Sequence, residues 1–313
     1  SETEFNKFAL SLFHYQYVNN KIYNQYINLI KSDVSDIKDY NHIPFLPIEL
    51  FRTQKIISTV DPAQTIFISS GTTNNQRSKH HIVSLEIYKT SILNCFHFFW
   101  GNPKEFVFFC LVPDLHNNPH SSLSFMCSEL INCSNNSKSG FYLRNKKTLI
   151  SNIAECQKKK QKFILFGLGF EILDFANKNN ISLDGGVVIE TGGIKKNEKW
   201  IIREDLHQRL QSLLKVKNIY SEYGMAELLS QSYYMKDNCF QSPPWKKILI
   251  RDKTNPLKII GNNNRGCINI IDLANIYSCG FIATNDLGYL NNNGFNIIGR
   301  SQNSVERGCN LMV

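Results

Sequence analysis

The sequence predicts an α/β protein with a mostly parallel sheet and a small β-rich subdomain towards the C-terminal end. Between about residues 61 and 240, short apolar strands alternate with helical segments, which is typical of βαβ units. From Lys246 onward, short strands are instead separated by turns rich in Gly and Asn. We therefore expect a helical segment and connector over 1–60, an α/β core over 61–240, and a β-rich subdomain with a tail over 241–313.

Composition sets limits on the class of protein. The 313 residues are 42% hydrophobic and 19% charged, which is ordinary for a globular chain. The formal net charge of +9 is compatible with an anionic partner such as a nucleotide. The lysines are scattered, however, and no basic stripe is interleaved with aromatic residues, so we do not expect nucleic-acid binding.

The cysteines and the apolar runs indicate the compartment. The nine cysteines are odd in number and contain no C-x-x-C pair, which favours free thiols over a disulfide framework or a zinc site. The sequence shows no signal region and no apolar span of about 20 residues. These observations predict a cytoplasmic protein without a transmembrane segment.

The N-terminal third predicts helices around an extended connector. Apolar and aromatic residues over 2–31 recur at roughly helical spacing, which indicates one or two amphipathic helices. Two prolines within 43–48 exclude a helix interior there. Ser84 predicts an N-cap for a helix reaching about Trp100, and the apolar run over 105–112 predicts a buried strand.

The remaining elements follow the same patterns. Helices are predicted over 119–133, 148–160, 170–177 and 203–214, and strands over 162–167, 186–190, 218–221, 248–250, 267–271, 281–284 and 295–298.

Polar segments follow several of the predicted strands. Since open α/β sheets bind ligands beyond the carboxyl ends of their strands, we expect these segments to meet at one edge. The five segments are 69–73, 191–193, 222–227, 284–288 and 299–304.

The first of these segments has the composition of a phosphate-binding loop. The apolar strand 65–68 leads into the sequence Ser69, Ser70, Gly71, Thr72, Thr73. The glycine lets the backbone approach an anion, while hydroxyl and N–H groups can donate to it. Arg77 and Lys79 follow and supply positive charge. No Gly-Lys-Ser/Thr closes the loop, so it is not a Walker A motif, and the alternative interpretation is an ordinary polar turn.

Together, the five segments resemble the adenylate-forming superfamily, whose members use ATP to convert carboxylic acids to acyl-adenylates. The resemblance is closer to LuxE-type acyl-protein synthetases, which activate fatty acids for a bioluminescence fatty-acid reductase. It covers about residues 43 to 313. The additional stretches that carry it are Ile43–Ile48, Glu190–Gly193, Ser221–Gln231, Pro243–Trp245 and Arg307–Cys309.

This resemblance implies roles for individual residues. The loop from Ser69 to Thr73 would hold the ATP phosphates, and Glu227 would coordinate Mg²⁺. The other nucleotide contacts it implies are Gly192 and Gly193 beside the adenine, Tyr223 stacked on it with Gly224 adjacent, Asp286 on the ribose hydroxyls, and Arg300 on ribose or phosphate. Without the resemblance, Tyr223 is equally a core aromatic, Glu227 a helix carboxylate and Asp286 a turn residue.

Cys309 is the candidate acyl acceptor, because a cysteine thiolate is a strong nucleophile. In LuxE-type proteins a cysteine near the C-terminus passes the acyl group to a reductase. The resemblance therefore implies a fatty-acid substrate and an acyl-acceptor protein as a partner. The alternative for Cys309 is a small residue in a frayed tail.

The sequence also departs from the superfamily pattern. Ala226 replaces a usual threonine, and 74–79 lacks the usual Gly-Pro-Lys run. Because the sequence ends shortly after Arg300, we expect the usual C-terminal domain with its catalytic lysine to be missing, which makes Arg77 and Lys79 candidates for that charge. Two other functions stay open: a coenzyme A ligase or acyltransferase of the same superfamily, and a nucleotide- or acyl-binding partner without catalysis.

Overall fold

A computed structural model describes residues 1–70, 77–192, 194–196, 199–235 and 237–300. The α-helices are α1 (Glu2–Asn19), α2 (Lys21–Leu29), α3 (Leu50–Thr53), α4 (Leu85–Trp100), α5 (Ser122–Ser134), α6 (Lys146–Lys158), α7 (Gly169–Lys178) and α8 (Arg203–Leu214). The strands are β1 (Leu46–Pro47), β2 (Thr65–Ile68), β3 (Lys79–Ile82), β4 (Val107–Leu111), β5 (Gly140–Phe141), β6 (Phe163–Leu168), β7 (Val187–Thr191), β8 (Ile194–Lys196), β9 (Lys199–Ile201), β10 (Ile219–Tyr223), β11 (Ser232–Tyr234), β12 (Phe240–Gln241), β13 (Lys246–Arg251), β14 (Ile259–Ile260), β15 (Gly266–Asp272), β16 (Phe281–Asn291) and β17 (Gly294–Arg300).

Local side-chain chemistry sets several helix starts. Ser1 and Glu4 form a capping box at the start of α1. Ser84 Oγ accepts from the backbone N–H of Ile87, so the predicted cap of α4 is confirmed. Ser121 caps α5 in the same way, which places that start two to three residues after the predicted one.

One sheet of 13 strands organises the described part of the chain. Its path runs β14-β13-β15-β16-β17-β12-β11-β10-β7-β6-β4-β5, with β1 paired to β16. We call β10, β7, β6, β4 and β5 the parallel half, because each pairs in parallel with its neighbour in this group. The strands from β14 to β11 pair antiparallel and form the antiparallel half.

Helices cover both faces of the parallel half. All five residues of β4 are buried, as expected for a strand covered on both sides. Since side chains alternate across a strand, Phe108 and Cys110 pack with α4 and α5, whereas Val107, Phe109 and Leu111 pack with α6, α7 and α8. Helices α1 and α2 lie instead on the antiparallel half, where Phe13 and Tyr23 contact the ring of Phe281.

The predicted fold class is confirmed, with a large sheet containing parallel strands and a β-rich C-terminal region. The C-terminal strands extend the sheet as its antiparallel half. The division of the chain at residues 60 and 240 stays a prediction. No helix in the described residues is long and apolar enough to pass through a lipid bilayer.

Three local predictions were wrong. Residues 284–288 lie inside the 11-residue β16 and do not follow a strand. Glu222 and Tyr223 similarly belong to β10, and Gly299 and Arg300 belong to β17. The hydroxyl loop does follow β2 as predicted, and β3 then returns antiparallel along β2. Polar residues with low strand propensity look like turns in sequence, but partners in a neighbouring strand can satisfy them inside a sheet. The register shift of β16 beside Leu287 adds a further irregularity.

Candidate functional site

The hydroxyl loop lies between the two strands of the β2–β3 hairpin. The backbone N–H of Ser69 donates to the carbonyl of Ser78 (3.0 Å), and the N–H of Ser78 donates to Ser69 Oγ (3.1 Å). The base of the loop is therefore closed on the buried Ser69 side chain. Ser70, Arg77 and Lys79 are exposed around this base, at positions from which they can meet an anion.

A buried histidine joins this hairpin to the segment that contains Glu227. His80 Nδ1 donates to the carbonyl of Ala226 at 2.8 Å, while Nε2 lies 3.2 Å from Asn275 Oδ1. Burial lowers the pKa of His80. Asn275 in turn donates from Nδ2 to the carbonyl of Glu227 (2.9 Å). The backbone carbonyls of Ala226 and of the fully buried Glu227 are thus held in place by side chains from β3 and from the loop after β15.

The turn after Glu227 is clamped by a second buried carboxylate. Asp272, at the end of β15, accepts from the backbone N–H groups of Leu229 and Ser230 (both 2.9 Å) and from Ser230 Oγ (2.7 Å). The antiparallel half therefore fixes a loop that begins in the parallel half. Asp272 was not among the predicted site residues, although its position at a strand end is the same signal that identified the others.

Lys246 is another buried polar residue that the sequence analysis missed. Its Nζ donates to the carbonyl of Ser230 (3.0 Å) and lies 5.5 Å from the ring centroid of Tyr223. The neighbouring Trp245 donates from Nε1 to Ser230 Oγ (3.0 Å). Burial lowers the pKa of Lys246. The Pro243–Trp245 stretch and the residues after Glu227 are therefore in direct contact.

Tyr223, at the end of β10 in the parallel half, is connected to Asp286 and Arg300 in the antiparallel half. The hydroxyl of Tyr223 donates to Asp286 Oδ2 (2.7 Å), and Arg300 Nε donates to Asp286 Oδ1 (2.8 Å). The pair is buried, and Asp286 and Arg300 face each other in the β16–β17 register. Burial first, and then the Asp286 carboxylate, raise the pKa of Tyr223 well above its usual value.

Tyr223 is fully buried in this arrangement. The rings of Phe240 and Phe295 have their centroids 5.7 and 5.8 Å from its own. Stacking of Tyr223 on adenine stays a prediction, and it requires a face of this fully buried ring to become accessible.

The ends of β7 and β10 are joined by a hydrogen bond. Thr191 Oγ1 donates to Glu222 Oε2 at 2.6 Å, and burial raises the pKa of Glu222 to about 7. A Cβ at Gly224 would lie 2.4 Å from Glu222 Oε1, so a larger residue there would displace this carboxylate. Gly192 has a φ of +88°, which other residues rarely adopt.

The structure therefore brings together the base of the hydroxyl loop, the Tyr223–Glu227 turn, and the Asp286–Arg300 pair. Gly71, Thr72, Thr73, Gly193 and Cys309 lie outside the described residues. Among the described cysteines, none forms a disulfide.

Glu227 fits a magnesium site that is completed by phosphates and water better than a metal site made of protein ligands alone. The described part of the chain contains no group of three or more His, Cys, Asp or Glu side chains able to hold a metal. Mg²⁺ usually takes one or two protein carboxylates, with phosphates and water completing its shell. The single buried carboxylate of Glu227 is compatible with that pattern.

The fold is similar to that of adenylate-forming enzymes. A 2-hydroxyisobutyryl-CoA ligase in complex with 2-HIB-AMP matches with a TM-score of 0.72 and 11% identity, over 99% of this chain and 70% of that one. ATP-bound MatB from Rhodopseudomonas palustris matches with a TM-score of 0.57 and 13% identity, over 75% and 47%. A luciferase-like enzyme from the mealworm Zophobas morio gives 0.55 and 17%, over 79% and 59%.

These similarities establish the class of fold, and the chain spans about half the length of the MatB structures. A family model described as "Acyl-protein synthetase, LuxE" matches residues 1–313. The chain therefore belongs to the LuxE acyl-protein synthetase family. A comparison with curated proteins gave no match.

Proposed function

We propose that this protein uses ATP to activate a fatty acid as an acyl-adenylate, loads the acyl group onto Cys309, and passes it to another protein. The observation that carries the proposal is the convergence of the predicted segments. His80 joins the hydroxyl hairpin to Ala226, and Tyr223, at the start of the same turn, bonds to Asp286. Membership of the acyl-protein synthetase family supports the reaction class.

The first step forms a mixed anhydride. A carboxylate oxygen of the acid attacks the α-phosphorus of ATP, and the bond from that phosphorus to the bridging oxygen breaks. Pyrophosphate leaves with the bonding electrons. The barrier comes largely from repulsion between anions, so donors and cations already in position lower it. In this protein the donors would come from the hydroxyl loop, which begins at Ser69 and Ser70. The cations would be the exposed Arg77 and Lys79, which follow the loop in the sequence.

Glu227 is proposed to hold Mg²⁺, which when bound would neutralise charge on the phosphate oxygens. Asp286 is proposed to accept from the ribose hydroxyls. Its two oxygens already accept from Tyr223 and Arg300, so its position is fixed before a nucleotide arrives. ATP-bound MatB and the ligase in complex with 2-HIB-AMP have similar folds, which supports the proposal that this chain binds a nucleotide.

In the second step a thiolate attacks the acyl carbonyl carbon, and the carbon–oxygen bond to AMP breaks. A cysteine with a pKa near 8.5 is only a few per cent thiolate at neutral pH, yet this fraction is strongly nucleophilic. Cys309 is the proposed acceptor because of its place in the sequence. The fatty-acid substrate and the acyl-acceptor protein belong to the same proposal.

Pyrophosphate exchange tests the first step. With ATP, Mg²⁺ and fatty acids of several lengths, we expect acid-dependent exchange of labelled pyrophosphate into ATP. Glu227→Gln and Asp286→Ala should each lower it by at least about 100-fold, because each removes a group aimed at the nucleotide. Glu155→Gln, on the distant helix α6, is the matched control, and thermal melting of each variant separates lost chemistry from lost folding.

Intact-protein mass spectrometry tests the second step. After the same incubation we expect an acyl mass on Cys309, and Cys309→Ser should abolish it while exchange continues. Thioester formation on added coenzyme A, with no effect of Cys309→Ser, would instead identify a coenzyme A ligase. Nucleotide binding with no acid-dependent exchange would reject an enzymatic role, and full exchange in both site variants would reject the site.

A further inference from the structure

Helix α3 carries no motif that the sequence analysis selected, yet it connects the two halves of the candidate site. The ring of Phe51 is fully buried and contacts His80 edge-on, with centroids 5.8 Å apart. At the cap of the same helix, Glu49 Oε1 accepts from Asn285 Nδ2. The helix is thus fixed between β3, which follows the hydroxyl loop, and β16, which carries Asp286.

This placement brings Arg52 into the site. Arg52 lines a narrow crevice together with Met225, Asp286 and Arg300. Met225 lies halfway along the turn from Tyr223 to Glu227. The crevice is therefore lined by the proposed ribose ligand, Asp286, and by the segment that leads to the proposed magnesium ligand, Glu227.

Two cationic side chains line the crevice. They are the guanidinium groups of Arg52 and Arg300, and one carboxylate, that of Asp286, lies with them. The other lining residues are uncharged. A guanidinium presents several N–H donors in a plane, an arrangement that matches the oxygens of a phosphate.

We propose that Arg52 binds the α-phosphate of the nucleotide. This inference rests on the proposed function and deepens it. Arg52 differs from Arg77 and Lys79, which are exposed on the hairpin, because α3 fixes its backbone against two other elements of the site. Arg52 would therefore bring positive charge to the α-phosphate from a helix that is held in place on two sides.

Binding of AMP and adenosine to the full chain tests the assignment. Isothermal titration should show that Arg52→Gln weakens AMP binding by about ten-fold or more, the usual effect of losing a charged hydrogen bond. Adenosine lacks the phosphate, so its affinity should stay unchanged. Arg52→Lys keeps the charge without the planar fork and should give an intermediate AMP affinity. Arg144→Gln, at an exposed arginine in the loop before α6, is the matched control.

The outcomes separate this inference from the proposed function. If Arg52→Gln weakens AMP and adenosine equally, or leaves AMP unaffected, the phosphate assignment is overturned while nucleotide binding stands. If the unaltered protein binds neither AMP nor ATP, the proposed function fails and the inference with it. Selective loss of AMP affinity, partly restored by lysine, supports both.

Discussion

The parallel and antiparallel halves of the sheet position polar residues in different ways. In the parallel half, strands such as β4 are buried on both faces and apolar throughout, and the polar residues Glu190, Thr191 and Glu222 lie at or near the carboxyl ends of β7 and β10. In the antiparallel half, polar residues lie inside strands. Arg251 Nη1 donates to Asn269 Oδ1 (2.7 Å), and Arg300 pairs with Asp286 across neighbouring strands.

This difference determines how firmly each group is held. Strand pairing fixes Asp286 and Arg300 directly. Glu227 lies on a loop, so its position depends on side chains from elsewhere, namely His80, Asn275 and Asp272. The loop contributed by the parallel half is therefore ordered largely by contacts with the antiparallel half and with the hairpin.

Removing the Asp272 clamp should break this dependence and give the largest effect. Asp272→Ala leaves the N–H groups of Leu229 and Ser230 unpaired in the interior. We expect the free energy of unfolding to fall by about 3–5 kcal/mol. Urea unfolding measures this change. Pyrophosphate exchange measures the loss of activity that we expect when the Glu227 loop is no longer held in place.

Asp252→Ala is the matched control, because this aspartate makes similar hydrogen bonds to Thr254 and Asn255 in an exposed turn. Its effect on stability should be small beside that of Asp272→Ala. If the two variants lose equal stability, the Asp272 clamp does not hold the two halves together.

Glu222 offers a test of intermediate size, since it is a carboxyl group buried in the parallel half. Burial raises its pKa from 4.5 to about 7. Between these values the folded protein holds a proton that the unfolded chain has lost, so stability falls as pH rises from about 4.5 to about 7. A shift of this size corresponds to about 3 kcal/mol.

The Glu222→Gln variant should lack this fall, so its stability relative to the unaltered protein should increase with pH across the same window. Thr191→Val removes the hydrogen bond that lowers the pKa of Glu222, and should extend the fall to higher pH. Urea midpoints at several pH values provide the measurement. Parallel curves for all three proteins would contradict burial of the carboxyl group.

The smallest effect is expected at an exposed ion pair in the parallel half. Lys162 Nζ lies 2.6 Å from Glu105 Oε2, with both side chains more than half exposed. Lys162→Met should change the free energy of unfolding by no more than about 0.5 kcal/mol, because exposed pairs are screened by water and salt. A loss as large as that at Asp272 would remove the distinction between buried and exposed polar groups.

Much of the fold could be predicted because the relevant signals are local. The helix cap at Ser84 and the apolar run of β4 depend on neighbours a few residues apart, and both predictions are confirmed. The residues 284–288 could not be assigned this way. Their backbone and side chains are satisfied by pairing with β15 and β17 and not by residues within the same short segment, as when Thr284 Oγ1 donates to the carbonyl of Ile268 (2.8 Å).

The sequence by itself determined the α/β class, the order of the polar segments, and the family resemblance. These properties follow from periodicity, capping and short motifs that can be read without knowing which strands pair. Only the tertiary structure decided that His80, Asp272 and Lys246 support the Glu227 turn, and that Arg52 lies beside Asp286. These contacts join residues far apart in the chain, and a single sequence contains no local signal for such pairs.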